Sequence, residues 1–151
     1  MMLFKKYHVL PMYIGIKTYT RRFWKYPRRV GSIHKCVHDY SGFSFGELVI
    51  EDIYRQPLGM MTESDAYKEG GYTLKEYKIT LEMITKKPWD DASVPWVVKF
   101  RFTPSDTIDP NGGTRDIDEY KLLYYKHKGE INGIQHGVSL FKLWGDNPGK
   151  L

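Results

Sequence analysis

The spacing of apolar residues along this chain changes period several times, and each change marks an element. LFKKYHV, near the start, alternates as a strand does; Pro11 can open a short helical turn and Gly15 can end it. GIKTYTRRFW follows as a turn running into an extended segment. Val30-Gly31 begins a further strand, VGSIHKCV, and FSFGELVIEDIY another, with Leu48, Ile50 and less regularly Ile53 on its apolar side. The period then lengthens. Thr62 with Asp65, and Thr73 with Glu76, have the spacing of capping boxes, so two helices start there. Gly70-Gly71 stops the first after about two turns. The second carries Leu74, Tyr77, Leu81 and Ile84 on one stripe, and Pro88 limits it. PWVVKFRF returns to strand-forming residues and predicts a central strand.

Strands flanking a pair of helices, with no regular βαβ alternation, give an α+β class. The expected architecture is a small mixed β-barrel or curled sheet with two or three short helices. After Phe102 the composition shifts to turn residues in PSDTIDPNGG. DEYKLLYYKHKGEINGIQHGVSLFKLW then reads as two or three strand-like runs, separated at Lys-Gly and Asn-Gly. The expectation is a domain over 1–103, followed by a linker and a β-rich extension over 104–151. That extension would pack on the domain or on a partner through Leu122, Leu123, Leu140, Phe141 and Trp144.

With 151 residues, 41% hydrophobic and 27% charged, the chain has the composition of a folded globular protein rather than a disordered one. Cys36 is its only cysteine, so no intramolecular disulfide forms, which fits a cytoplasmic location. No apolar run approaches the roughly 18 residues of a membrane span, and the lysine-interrupted start does not read as a secretory leader. The net charge of +5 is placed unevenly: nine Lys and Arg precede Asp39 with no acid among them. Interleaved with Phe23, Trp24 and Tyr26, the cations Arg21, Arg22, Lys25, Arg28 and Arg29 suit a polyanion with exposed bases. The plain alternative is a solvated basic face.

Within GIKTYTRR, Lys17 and Thr20 carry the most chemistry. A threonine hydroxyl needs a base to remove its proton, and a lysine serves only if desolvation or nearby cations depress its pKa. Arg21 and Arg22 supply cations, and Phe23 and Trp24 an apolar wall. Glu69, directly before Gly70, would sit at the negative end of a helix dipole, a setting suited to a general acid or base. His34, Cys36 and His38 share a strand face, but the two histidines would lie about 13 Å apart, too far to share one metal ion. No metal site and no cofactor motif is expected.

The order of these pieces resembles the ASCH domain family, a branch of the PUA-like superfamily. The residues that carry the likeness are Gly15, Lys17, Thr18, Thr20 and Arg22; Val30-Gly31; Ala66 to Gly70; Leu74 to Thr85; and Trp96 to Phe102. The resemblance covers about residues 1–103 and implies a cleft that accepts RNA or a nucleoside. One bacterial branch comprises amidohydrolases that remove the acetyl group of N4-acetylcytidine. Carried over residue by residue, its Lys, Thr and Glu fall on Lys17, Thr20 and Glu69. The competing class is a non-catalytic RNA-binding module, with Lys17, Arg21 and Arg22 at phosphates, Trp24 stacked on a base and Thr18 among the residues that bind nucleic acid or substrate. A ribonuclease is a third reading, without paired histidines to serve as acid and base. Ser32 replaces the family's frequent Asp after Val-Gly, and residues 104–151 exceed the minimal enzymes.

Overall fold

The computed structural model describes residues 1–105 and 117–134. Its centre is a five-stranded mixed sheet that curls into a half-barrel, which makes the chain α+β. The strands are β1 (Met2–Leu3), β2 (Tyr19–Arg22), β3 (Ile33–Val37), β4 (Gly46–Arg55) and β5 (Trp96–Pro104), in the order β1-β3-β4-β5-β2. Among the described residues, β1 against β3 is the only parallel pair; the other pairs are antiparallel. As PWVVKFRF predicts, β5 has a partner on each side. A register shift between Ile50 and Asp52 bulges β4, and such a bulge increases local twist.

The helices are α1 (Val9–Tyr13), α2 (Glu63–Lys68), α3 (Leu74–Thr85) and α4 (Ile117–Gly133). Both capping boxes form. Thr62 Oγ1 accepts from the Asp65 N–H at 3.1 Å, and Asp65 Oδ2 accepts from the Thr62 N–H at 2.9 Å. Thr73 and Glu76 repeat the exchange at 3.1 and 2.9 Å. Glu63 of α2 also accepts from the Leu74 N–H at 2.8 Å, which ties the start of α3 to α2 and keeps the connection between them short.

One apolar cluster fills the curl of the sheet and includes Phe4, Phe45, Leu48, Ile50 and Phe100. A second, with Leu58, Tyr72, Tyr77, Leu81 and Ile131, joins α2 and α3 to α4. The site described below lies where these two clusters approach each other.

Two expectations need correction. The strand over LFKKYHV shrinks to Met2–Leu3; Lys6–His8 is a 3-10 turn, and α1 begins at Val9, before Pro11. Pro11 is the third residue of α1, where a missing N–H costs nothing, and His8, Val9, Leu10 and Met12 are all buried. The larger correction concerns the extension. Residues 117–133 form one helix and not a set of β runs. Its buried residues, Tyr120, Tyr124, His127 and Ile131, recur every three or four positions, a helical stripe that outweighs the two glycine signals. Gly129 sits on the exposed side, where nothing crowds it, and costs the helix about 1 kcal/mol. The helix packs on the 3-10 turn, α1 and α3. Leu122, expected to anchor the extension, is exposed, whereas Leu123 packs against the sheet cluster. Leu140, Phe141 and Trp144 lie outside the described residues. Among the described residues, no helix is long and apolar enough to cross a membrane.

Candidate active site

Lys17 and Glu69, 52 positions apart, meet because their neighbours are stitched together. The Lys17 N–H donates to the Pro11 carbonyl of α1 at 2.9 Å. The Thr18 N–H donates to the Lys68 carbonyl at the end of α2 at 3.0 Å, directly before Glu69. The turn GIKT is thereby pinned between two helices, and β2 then carries Thr20 and Arg21 along the edge of β5. Lys17, Thr20, Arg21 and Glu69 are all buried, and all line one cavity of about 370 Å³. Phe4, His8 and Tyr77 form part of its wall.

Inside, Lys17 Nζ donates to the Tyr19 carbonyl at 2.9 Å and to the Glu69 carbonyl at 2.8 Å. It stands 3.8 Å from Glu69 Oε1. The other carboxylate oxygen, Oε2, accepts from Arg21 Nη1 at 2.9 Å, and Arg21 Nη2 donates to Gln56 Oε1 at 2.8 Å. Thr20 Oγ1 accepts from Arg22 Nε at 3.1 Å, while the Arg22 guanidinium lies 4.6 Å from the centre of the Phe4 ring.

One buried carboxylate therefore faces three cations, two of them, Lys17 and Arg21, themselves buried. Arginine does not give up its proton in proteins, so the imbalance falls on the lysine. Burial pulls the Lys17 amine down to about 8, opposed by Glu69 and helped by Arg22 and Arg21. About a tenth of it is then neutral at pH 7. A neutral amine keeps two N–H groups, enough for the Tyr19 and Glu69 carbonyls, and leaves a lone pair free to accept a proton. Burial, together with Lys17 nearby, holds His8 well below the ordinary histidine range, so its ring is uncharged. Burial and the Glu69 charge push the Tyr77 hydroxyl well above the ordinary range, so it stays a donor.

The remaining sequence candidates divide. Thr18 lines a different depression, of about 450 Å³, with Lys68, Lys99 and Arg101. Arg21, expected at phosphates, is instead buried against Glu69. Lys25, Arg28 and Arg29 are exposed on the segment joining β2 to β3, with Phe23 and Tyr26 exposed beside them. Trp24 is only half-buried; Arg28 lies 5.0 Å from its ring centre, and its carbonyl accepts from Trp96 Nε1 at 3.1 Å. His8 and Tyr77 are cavity residues that the sequence pattern does not single out. In sequence Tyr77 is only one member of an apolar stripe, and a lone His8 carries no spacing signal at all. His34 bonds Ser32 at 2.8 Å and His38 bonds Tyr120 at 3.2 Å. Among the described residues, no group of three or more His, Cys, Asp or Glu gathers as a metal site.

No family model matches the chain, and no curated protein matches it. Two solved structures are similar to it. Protein EF3133 of Enterococcus faecalis V583, a DUF984 protein, is 13% identical at a TM-score of 0.47, over 61% of this chain and 64% of that one, just under two thirds of its length. The ZmASCH protein of Zymomonas mobilis, solved as a mutant, is 11% identical at a TM-score of 0.47, over 81% of this chain and 94% of that one. Likeness at this level carries neither the site residues nor a chemistry across to this chain.

Proposed function

We propose that the chain hydrolyses the N-acyl group of a modified cytidine, with Thr20 as nucleophile and Lys17 as its base. The observation that carries this reading is the convergence of Lys17, Thr20 and Glu69 on one cavity, with the Lys17 amine drawn down to about 8. Neutral Lys17 takes the Thr20 proton, and Thr20 Oγ attacks the acyl carbonyl. Glu69, 3.8 Å from Lys17 Nζ, steadies the ammonium so formed, and Arg22 at 3.1 Å from Thr20 Oγ1 favours the developing oxyanion of the threonine. The C–N bond then breaks, and Lys17 returns its proton to the departing base amine. Glu69 then takes a proton from water, which cleaves the threonyl ester, and that proton restores the Thr20 hydroxyl as the carboxylic acid leaves. A cavity of about 370 Å³ suits one nucleoside.

Incubation with N4-acetylcytidine tests this directly, with cytidine release followed by chromatography. Release that disappears in Thr20→Ala supports it; no release by the wild-type chain over hours at micromolar protein contradicts it.

A second reading, RNA binding without turnover, draws on the exposed aromatic and basic residues between β2 and β3. These can engage a phosphate backbone whether or not the cavity is catalytic. RNA affinity falling steeply with salt, without any cytidine release, would favour it.

A further inference from the structure

Glu69 is followed by Gly70, Gly71 and Tyr72, and each of these three is tied to a residue of α4. Tyr124 Oη donates to the Gly70 carbonyl at 2.9 Å. Lys128 Nζ donates to the Gly71 carbonyl at 3.0 Å and to Glu76 Oε1 at 2.7 Å. Tyr72 Oη bonds His127 Nε2 at 2.9 Å, and His127 Nε2 also lies 3.3 Å from Thr80 Oγ1. Tyr124, His127 and Lys128 are spaced three and four apart, so one face of the helix delivers all three contacts.

The fit is close. Gly71 has φ +78°, and a side chain there would bring its Cβ to 2.7 Å from Tyr124 Oη. The same contacts reach the cavity by a second route, since Tyr72 Oη also bonds Nε2 of the cavity residue His8 at 2.7 Å. The ring of His127 is itself fixed, stacked on Tyr7 at 3.6 Å and 10°.

We propose that α4 is part of the site, with Tyr124, His127 and Lys128 as positioning residues that hold the Glu69–Tyr72 segment against Lys17. Lys17 Nζ bonds the Glu69 carbonyl and faces its carboxylate, so its surroundings depend on where that segment lies. Without these three ties, the residues after Glu69 include two glycines, which resist bending least. The segment would then drift, admit water to the Lys17 amine and loosen the Arg21–Glu69 pair. The inference rests on the site assignment above, but its principal readout does not require turnover.

The experiment uses the full chain labelled with 13C-lysine, following the Lys17 side-chain resonance with pH in wild type, Tyr124→Phe, Lys128→Met and the double variant. Hydration of the amine should move the Lys17 midpoint upward, towards an ordinary lysine, by about one unit in the double variant and by less in Tyr124→Phe, which removes a single hydroxyl. Lys128→Arg, which keeps a donor within reach of Gly71 and Glu76, should restore most of the wild-type value. Leu122→Gln, on the exposed side of the same helix, should leave the midpoint in place. Cytidine release from N4-acetylcytidine, measured alongside, should lose about tenfold in kcat with little change in KM. An unmoved midpoint in a double variant whose melting temperature has fallen would overturn the proposal, because α4 would then be packing alone. A midpoint that moves in a protein without cytidine release would support the positioning role while refuting the hydrolase reading.

Discussion

Two neighbouring stretches, Lys17–Arg22 and Trp24–Arg29, have nearly the same composition and opposite fates. In the first, Lys17 and Arg21 are withdrawn from water and share Glu69. In the second, Lys25, Arg28 and Arg29 stay exposed, and two of them rest on aromatic rings: Arg28 on Trp24 at 5.0 Å, Lys25 on Tyr26 at 5.5 Å. Basic content does not separate them; a backbone anchor does. The first stretch is held by the Pro11 and Lys68 carbonyls and by pairing with β5, and the second is a connection between strands. Burying a cation is tolerable only beside a carboxylate, and α2 brings Glu69 to the first stretch alone. The buried cations are thereby suited to chemistry and the exposed ones to meeting an anion.

The sharpest way to break this contrast is to remove the shared carboxylate. Glu69→Ala should cost about 3–5 kcal/mol in denaturant unfolding, since it leaves Lys17 and Arg21 buried without a counter-charge. A loss under about 1 kcal/mol would mean that the pair behaves like a surface one.

Next in size is the pH dependence of stability. The Lys17 amine titrates near 8 in the folded chain, against 10.5 for an ordinary lysine. Below pH 8 it is protonated in both states, and the cost of burying its charge, about 3 kcal/mol, is fully present. As pH rises from 8 towards 9 the folded state increasingly loses this proton while the unfolded state still holds it, so stability should rise. Lys17→Met should abolish the rise. Burial raises the Cys36 thiol from 9.0 to about 12 and the Tyr72 and Tyr77 hydroxyls well above 10.0. These groups act in the opposite sense, the thiol from about pH 9 and the hydroxyls from about pH 10, so the useful window is pH 8 to 9.

The smallest effect belongs to the exposed stretch. Replacing Lys25, Arg28 and Arg29 with Ala should change stability by less than about 0.5 kcal/mol. RNA affinity, measured by fluorescence anisotropy across salt concentrations, should weaken, and its log–log salt slope should shrink by about one for each phosphate no longer engaged. An unchanged slope would remove this surface from any role with nucleic acid.

How legible these features are in the sequence follows from the range of the forces that make them. Both capping boxes, the glycine stop before Tyr72 and the β5 strand are local signals, and each reappears where the pattern puts it. The Lys17, Thr20 and Glu69 trio is legible only through a remote resemblance, because nothing local tells that the Lys68 carbonyl will receive the Thr18 N–H. The Arg21–Glu69 pair is hidden for the same reason, and a basic stretch alone sends Arg21 to phosphates. Helix α4 is misread when Lys-Gly and Asn-Gly are weighed above the stripe Tyr120, Tyr124, His127 and Ile131, whose partners lie far away in sequence. Burial of that stripe outweighs two weak helix positions.

The central claim, that Thr20 is the nucleophile of an amide hydrolysis, is tested most directly by trapping the acyl group. Wild-type chain and Glu69→Gln are mixed with excess N4-acetylcytidine, quenched in acid within seconds and digested for peptide mass spectrometry. The account predicts one acetyl group on the peptide containing residues 17–22, localised to Thr20 and absent from Thr20→Ala. Free cytidine should appear in step with the adduct. Cytidine release by Glu69→Gln with no adduct on Thr20, or an acetyl group on Lys17 in either protein, would contradict it.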